Sequence, residues 1–150
     1  MKKYIATALW IFLLAIGANS QNSCQLIFGG SEFKDRMCLY RKNAKEFDVF
    51  YGRLLISLDS NDHKQISKMI KYPIFVIING KRTEIRNSEA FIINAKQIFN
   101  QRFSKLIFTD AQNLTHLSSG IMLGNGKLWF NTQNNHGKEF WKITAINNDI

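Results

Sequence analysis

The residue types that most often act as acids, bases or nucleophiles are sparse in this chain. It contains three histidines and two cysteines among 150 residues. His116 follows Asp110 by six positions and could face a cavity from a strand, whereas His63 and His136 fall in expected turns. His116 is therefore the candidate acid or base. A purely structural histidine is the alternative.

Sequence motifs for metals, cofactors and nucleophilic catalysis are not recognisable. The histidines lack ligand-like spacing, and the sequence contains neither an HExxH motif nor a Cys/His cluster. Gly124-Asn125-Gly126 lacks the third glycine of a dinucleotide loop, because residue 129 is tryptophan. Ser118-Ser119-Gly120 lacks the leading glycine of a nucleophile elbow. We therefore expect no metal, no cofactor and no catalytic residue.

The two cysteines, Cys24 and Cys38, are expected to form a disulfide. A pair this close in an oxidising compartment is most simply bonded. Closing a loop of about 15 residues stabilises the folded state by roughly 3 kcal/mol, because it lowers the entropy of the unfolded chain. The bond would fasten an N-terminal segment, residues 21–45, that has little regular pattern. Redox-active or metal-binding thiols are the alternative, but no Cys-x-x-Cys spacing or nearby histidine supports them.

Residues 1–20 have the pattern of a secretory signal peptide. Lys2 and Lys3 precede an apolar run at 5–16, and Gly17-Ala18-Asn19-Ser20 supplies small residues for cleavage. The run is too short for a hydrocarbon core of roughly 30 Å, so we expect no permanent anchor. We predict cleavage after Ser20 and a periplasmic protein. An uncleaved membrane helix and a lipoprotein attached through Cys24 are the alternatives.

Composition and length predict one basic folded domain. The net charge of +9 would fall to +7 without residues 1–20, and 45% of the residues are hydrophobic, enough for one core. Lys and Arg are scattered, whereas nucleic-acid binders cluster them on one face. Export also disfavours a nucleic-acid partner. The simplest interpretation of the positive charge is that it keeps the protein soluble. The alternative is that it attracts an anionic envelope component or an acidic protein.

Apolar residues at three- and four-residue steps predict three helices. The first spans 46–58, and Asp59-Ser60-Asn61-Asp62 both breaks it and caps a second, shorter helix that Pro73 ends. Asn87 or Ser88 can cap the third. Its predicted face comprises Phe91, Ala95, Ile98, Phe99 and Arg102.

Strands are predicted on both sides of the third helix. Ile74–Ile78 is a β-branched and aromatic run, and Asn79-Gly80 favours a hairpin to a returning strand at 82–86. After an ambiguous stretch at 104–112, strands are expected at 114–123, 127–131 and 139–146. The order α-α-β-β-α-β-β-β predicts an α+β domain over 46–150, with helices packed on a curved antiparallel sheet.

This order of elements resembles the cystatin-like cone fold shared by nuclear transport factor two and ketosteroid isomerase. Segments within 46–148 also look like a group of exported bacterial proteins of unassigned function. The matching segments are Lys71-Tyr72-Pro73-Ile74, Ile78-Asn79-Gly80-Lys81, Ile98-Phe99-Asn100, Gly120-Ile121-Met122-Leu123-Gly124-Asn125-Gly126 and Leu128-Trp129-Phe130. The resemblance implies architecture and no activity. In the isomerase type a base sits on an early hairpin strand, and the matching run Ile74–Ile78 has no titratable group.

Aromatic residues in the last strands are the candidate recognition groups. Trp129 and Phe130 are neighbours, as are Phe140 and Trp141, so one of each pair must point away from the core. An exposed Phe130 or Trp141 would be a recognition anchor. We expect any ligand or partner to contact His116, Trp129, Phe130 or Trp141.

The sequence favours a small exported binding module without catalytic activity. It would hold a protein or a small apolar ligand at the mouth of the cone or on the outer sheet face. The alternatives are a periplasmic immunity or inhibitor protein against a toxin or hydrolase, and a cone-fold enzyme using His116. Pairing of two copies through the open sheet face is also considered.

Overall fold

The computed structural model describes residues 24–40 and 43–149, which form five helices and six strands. The predicted signal peptide and its cleavage site lie outside these residues. The helices are α1 (Ser31–Tyr40), α2 (Ala44–Asp59), α3 (His63–Lys68), α4 (Ser88–Ile98) and α5 (Gln101–Thr109). The strands are β1 (Ile74–Ile78), β2 (Lys81–Ile85), β3 (Leu114–Leu117), β4 (Gly120–Leu123), β5 (Leu128–Asn135) and β6 (Lys138–Ile146).

The strands form two antiparallel sheets, and the predicted α+β class is confirmed. β1 and β2 make a hairpin whose turn residues, Asn79 and Gly80, have φ values of 52° and 73°. Two consecutive positive φ values match the right-handed twist of a hairpin, which explains why Asn-Gly is favoured there. The other four strands follow one another in the order β3-β4-β5-β6. The single curved sheet expected from the sequence is thus two open sheets.

The structure has two helices that the sequence did not predict, one before the expected domain and one that changes the order of elements within it. α1 lies in the N-terminal segment, where apolar periodicity is weak, and buries Phe33 and Met37. α5 occupies most of the ambiguous stretch at 104–112. It begins at Gln101 because the Asn100 side chain accepts a hydrogen bond from the Phe103 N–H at 2.9 Å. This cap begins α5 as a helix separate from α4.

The predicted strand at 114–123 is also wrong, because it is a hairpin of β3 and β4 that turns at Ser118-Ser119. Gly120 follows the turn with φ 136°, a conformation that other residues rarely adopt. A Cβ at this position would lie 2.5 Å from the Phe130 carbonyl oxygen. The close approach of β4 to β5 therefore requires glycine.

Aromatic side chains pack α2 against β5 and β6. Phe47 makes an edge-to-face contact with Trp141, with ring centroids 4.9 Å apart, and a second contact with Phe130 at 5.7 Å. Tyr51, one turn later on α2, also contacts Phe130 at 5.7 Å. All four side chains are buried. Edge-to-face pairs contribute about 0.5–1.5 kcal/mol each beyond the burial of area, so this cluster fixes α2 on the sheet.

The N-terminal segment packs on this same core. Cys24 and Cys38 form the predicted disulfide, with Cα atoms 5.5 Å apart. The Asp48 carboxylate on α2 accepts hydrogen bonds from the N–H groups of Ile27 and Phe28 at 2.9 and 3.0 Å. A buried carboxylate is stable when it accepts such bonds, so Asp48 ties the segment to α2.

A buried asparagine near the C-terminal end joins the hairpin β1-β2 to the rest of the fold. The Asn148 side chain exchanges two hydrogen bonds of 2.8 Å with the backbone of Ile77. Its amide also donates to the Ile98 carbonyl oxygen at 3.3 Å. Asn148 satisfies backbone groups at the β1 edge that faces away from β2, which aligns the two sheets.

The aromatic cluster should dominate the free energy of unfolding. Phe47→Ala should lower it by about 3–5 kcal/mol, because the substitution leaves a cavity between α2 and the sheet. Ile56→Ala, on the exposed side of the same helix, should change it by about 0.5 kcal/mol or less. Urea unfolding followed by circular dichroism measures both. Equal losses for the two variants would contradict this description of the core.

Removal of the disulfide should destabilise the fold without abolishing it. The double variant Cys24→Ser/Cys38→Ser should have a free energy of unfolding about 2–4 kcal/mol lower, since the unfolded chain gains entropy. Adding a reductant to the unaltered protein provides the matched control and should reproduce the loss. An unfolding midpoint that does not respond to reductant would show that the bond contributes nothing.

Candidate functional site

His116, the candidate acid or base and one of the expected ligand contacts, lies half-buried on β3. It lines a surface depression beside α1 together with Glu32 and Arg36, which pair with each other at 3.0 Å. The Asp110 carboxylate is engaged by Lys127, whose Nζ donates to it at 2.8 Å. Asp110 is thus paired with Lys127, and it does not line the depression that His116 lines.

Of the predicted recognition residues, Phe130 and Trp141 belong to the core. Phe130 is 0% exposed and Trp141 is 4% exposed, and the Trp141 indole N–H donates to the Asn43 carbonyl oxygen at 3.2 Å. A side chain with so little exposed surface cannot insert into a partner. Neither is therefore the exposed side chain that a recognition anchor requires, although Trp141 lines the wall of a groove described below.

Trp129 occupies the opposite face of the four-stranded sheet and is half-buried. It lies across from Met122 on β4 and Ala145 on β6. The Trp129 indole nitrogen lies 3.5 Å from where a Cβ of Gly126 would be. This tryptophan covers the outer face of the sheet near the turn that precedes β5.

The buried polar groups of the described residues all have hydrogen-bond partners. Tyr51 is an example, since its hydroxyl donates to the Ala111 carbonyl oxygen at 3.0 Å. Burial, with a further contribution from the negative charge of Asp110, raises the pKa of Tyr51 above its usual range, so this hydroxyl stays protonated. Among the described residues, no buried side-chain nitrogen or oxygen is left without a partner for a ligand to satisfy, which directs attention to the surface.

A surface groove of about 720 Å³ runs between α2, α3 and β6, and we call it the α2–β6 groove. This volume is within the range of ligand-binding clefts in proteins, roughly 300–1,000 Å³. Its lining residues are Lys45, Glu46, Val49, Phe50 and Arg53 on α2, Gln65, Lys68 and Met69 on and after α3, and residues 138–142 on β6.

The floor of the α2–β6 groove is apolar. Phe50 is half-buried between the groove and the aromatic core, where its ring lies 6.0 Å from that of Phe130. Phe140 is half-buried on the β6 wall, and Met69 is buried beneath. Val49 is 63% exposed at the rim. The groove thus offers apolar surface to an occupant without any rearrangement of the core.

Positive charge surrounds this floor. Lys45, Arg53, Lys68, Lys138 and Lys142 line the groove together with two acids, Glu46 and Glu139. The ion pairs among the described residues lie outside the groove. None of the five groove cations therefore forms an ion pair with a described acid. With five cations and two acids beside an apolar floor, the groove attracts molecules that are both anionic and apolar.

Lys142 contacts two neighbouring residues of the groove. Its ammonium lies 5.5 Å from the centre of the Phe140 ring and donates to the Lys68 carbonyl oxygen. Burial lowers the pKa of Lys142 below its usual value, because the charged form loses water. A bound anion would compensate for this lost hydration, so Lys142 is positioned to respond to an occupant.

Sequence reasoning missed this groove, although one signal was available. Val49 and Ile56 are seven positions apart on α2, so they share a helix face opposite the predicted core positions. They are 63% and 71% exposed. Single exposed apolar residues are common, but two on the same outer face of a helix form a patch that another molecule can cover. The cations of α3 and β6 could not be assigned to the same place without the tertiary structure.

The described residues contain no group of three or more His, Cys, Asp or Glu that could hold a metal ion. Within the same part of the chain, no helix has the length and apolar character needed to cross a membrane. Comparisons with protein-family models, curated proteins and solved structures found no match to this chain. The groove itself is therefore the starting point for assigning a function.

The titration of Lys142 tests the description of the groove. Carbon-13 NMR of the methylated protein should show a Lys142 resonance that titrates at lower pH than lysines of the unfolded chain. The folded state disfavours the charged form of Lys142. The free energy of unfolding should therefore rise with pH between the lowered pKa of Lys142 in the folded protein and the ordinary lysine pKa of the unfolded chain. Titration at or above the ordinary lysine value would contradict the burial of this ammonium.

Proposed function

We propose that this protein is an exported, non-enzymatic binding module that holds its partner in the α2–β6 groove. The observation that supports this proposal most is the combination of an apolar floor with five cations that lack acidic partners among the described residues. Cations without acidic partners and partly exposed apolar side chains contribute little to the stability of the fold. Both features become favourable when an anionic, partly apolar molecule is bound.

Export to the periplasm remains part of this proposal. The charge and apolar run of residues 1–20 support a cleaved leader, and a disulfide between Cys24 and Cys38 is compatible with an oxidising compartment. A cystatin-like cone, with the β1-β2 hairpin and helices around the four-stranded sheet, is proposed as the architecture. The protein would then meet its partner in the cell envelope.

An immunity or inhibitor protein against a toxin or hydrolase is the second candidate. The exposed apolar positions Val49 and Ile56 favour it, because they extend the apolar surface along α2 beyond the groove. A protein face can cover both positions, whereas a molecule that fits within the groove covers only the first. In this candidate the groove and the outer face of α2 would together form the contact with the toxin.

Site-specific photocrosslinking in producing cells tests whether the groove is the binding site. A photoreactive amino acid at Val49 should form an adduct with the partner, because this side chain lies at the groove rim. The matched control is the same amino acid at Ile93, which is 81% exposed on α4 and does not line the groove. Mass spectrometry of the adduct identifies what was captured.

The expected result is an adduct from position 49 and none from position 93. Adducts from both positions would indicate non-specific contact, and no adduct from position 49 would contradict binding in the groove. The variant Lys68→Gln/Arg53→Gln, which removes two groove cations, should reduce the yield from position 49.

A further inference from the structure

We propose that the occupant of the α2–β6 groove is an acidic, amphipathic segment of another protein. This inference rests on the proposed function, because it specifies the chemistry of the partner for the same groove. Three features support it: the distribution of positive charge along the groove walls, the position of the apolar side chains and the continuation of the apolar surface along α2.

Positive charges extend along both long walls of the groove, and each wall also carries one acid, Glu46 on α2 and Glu139 on β6. On α2, Lys45 and Arg53 are eight positions apart, which corresponds to about 12 Å along a helix axis. On β6, Lys138 and Lys142 are four positions apart, which corresponds to about 14 Å along a strand. A ligand with a single anionic head group would meet the cations at one end only. A segment with several carboxylates can meet them along both walls.

Apolar side chains line the groove together with these cations. Phe50 and Phe140 contribute half-buried rings, and Val49 adds exposed aliphatic surface on the α2 side. A purely acidic chain would leave these groups in contact with water, whereas apolar side chains interspersed with acids would cover them. The fitting segment therefore alternates acidic and apolar residues, and the acids face Arg53, Lys68 and their neighbours.

The outer face of α2 continues the same surface. Ile56 lies seven positions after Val49 and outside the groove lining, yet it is 71% exposed. A protein that places a segment in the groove can cover Ile56 with adjacent residues. Stable interfaces bury about 800 Å² on each partner, so contacts beyond the groove are needed for tight binding. This favours a segment of a folded or folding protein over a small anionic amphiphile.

Selection from a library of displayed random peptides tests the proposal even while the partner is unidentified. The target is protein produced from the full coding sequence, and the peptides are about twelve residues long, enough to follow the groove as a helix or a strand. We expect the enriched peptides to contain several Asp or Glu residues interspersed with apolar ones. Their affinities should fall about tenfold or more when the salt concentration is raised.

Two matched variants assign the binding to the groove. Lys68→Gln/Arg53→Gln removes one lysine and one arginine from its walls, and should weaken the enriched peptides about tenfold or more. Lys81→Gln/Arg102→Gln removes the same charges from exposed positions on β2 and α5, and should change affinity less than about twofold. Equal thermal unfolding midpoints would show that both variants are folded.

Several results would overturn the proposal. These are enrichment of peptides that are not acidic, enrichment of none, or equal effects of the two variants. Binding of laurate in the groove, with no acidic peptide enriched, would assign the site to a small anionic amphiphile instead. The crosslink from Val49 distinguishes failure of this proposal from failure of the proposed function. If the crosslink persists while the selection fails, the groove binds a partner of different chemistry. Loss of both removes the groove as a binding site.

Discussion

Phe47 joins helix α2 to the four-stranded sheet, and most of the structure depends on this contact. Its ring packs edge-to-face against Trp141 on β6 and Phe130 on β5, and it stacks against Tyr51 one turn later. The N-terminal segment is then attached to the same helix by Asp48, and its Phe33 contacts Phe47 at 5.9 Å. Without α2 in this position, the disulfide-bonded segment would lose its attachment and the core face of the sheet would be uncovered.

The same packing determines the surface that is available for binding. Because Phe47 and Tyr51 direct one face of α2 into the core, Val49 and Arg53 are directed outwards next to β6. The α3 helix closes one side, where the backbone of residues 69–71 hydrogen-bonds to Ile143. The α2–β6 groove is therefore a consequence of how the core is assembled, and an occupant would contact elements that the core already holds in place.

The sequence predicted the elements whose signals are local. The Asn79-Gly80 turn, the disulfide and the period of α2 each follow from a few adjacent residues, and the structure has all three. α5 was missed because its start depends on one capping residue, Asn100. The groove was missed for a different reason, since Lys68 and Lys142 become neighbours only through tertiary packing. The exposure of Phe130 and Trp141 also depended on which face of the sheet α2 covers.

A double-mutant cycle between Phe47 and Trp141 tests the central contact most directly. The free energies of unfolding of Phe47→Leu, Trp141→Leu and the double variant are compared with that of the unaltered protein. If the two rings fasten α2 to β6, the effects should be non-additive, with a coupling free energy of about 0.5–1.5 kcal/mol. Additive losses, with no coupling between the two positions, would contradict the account.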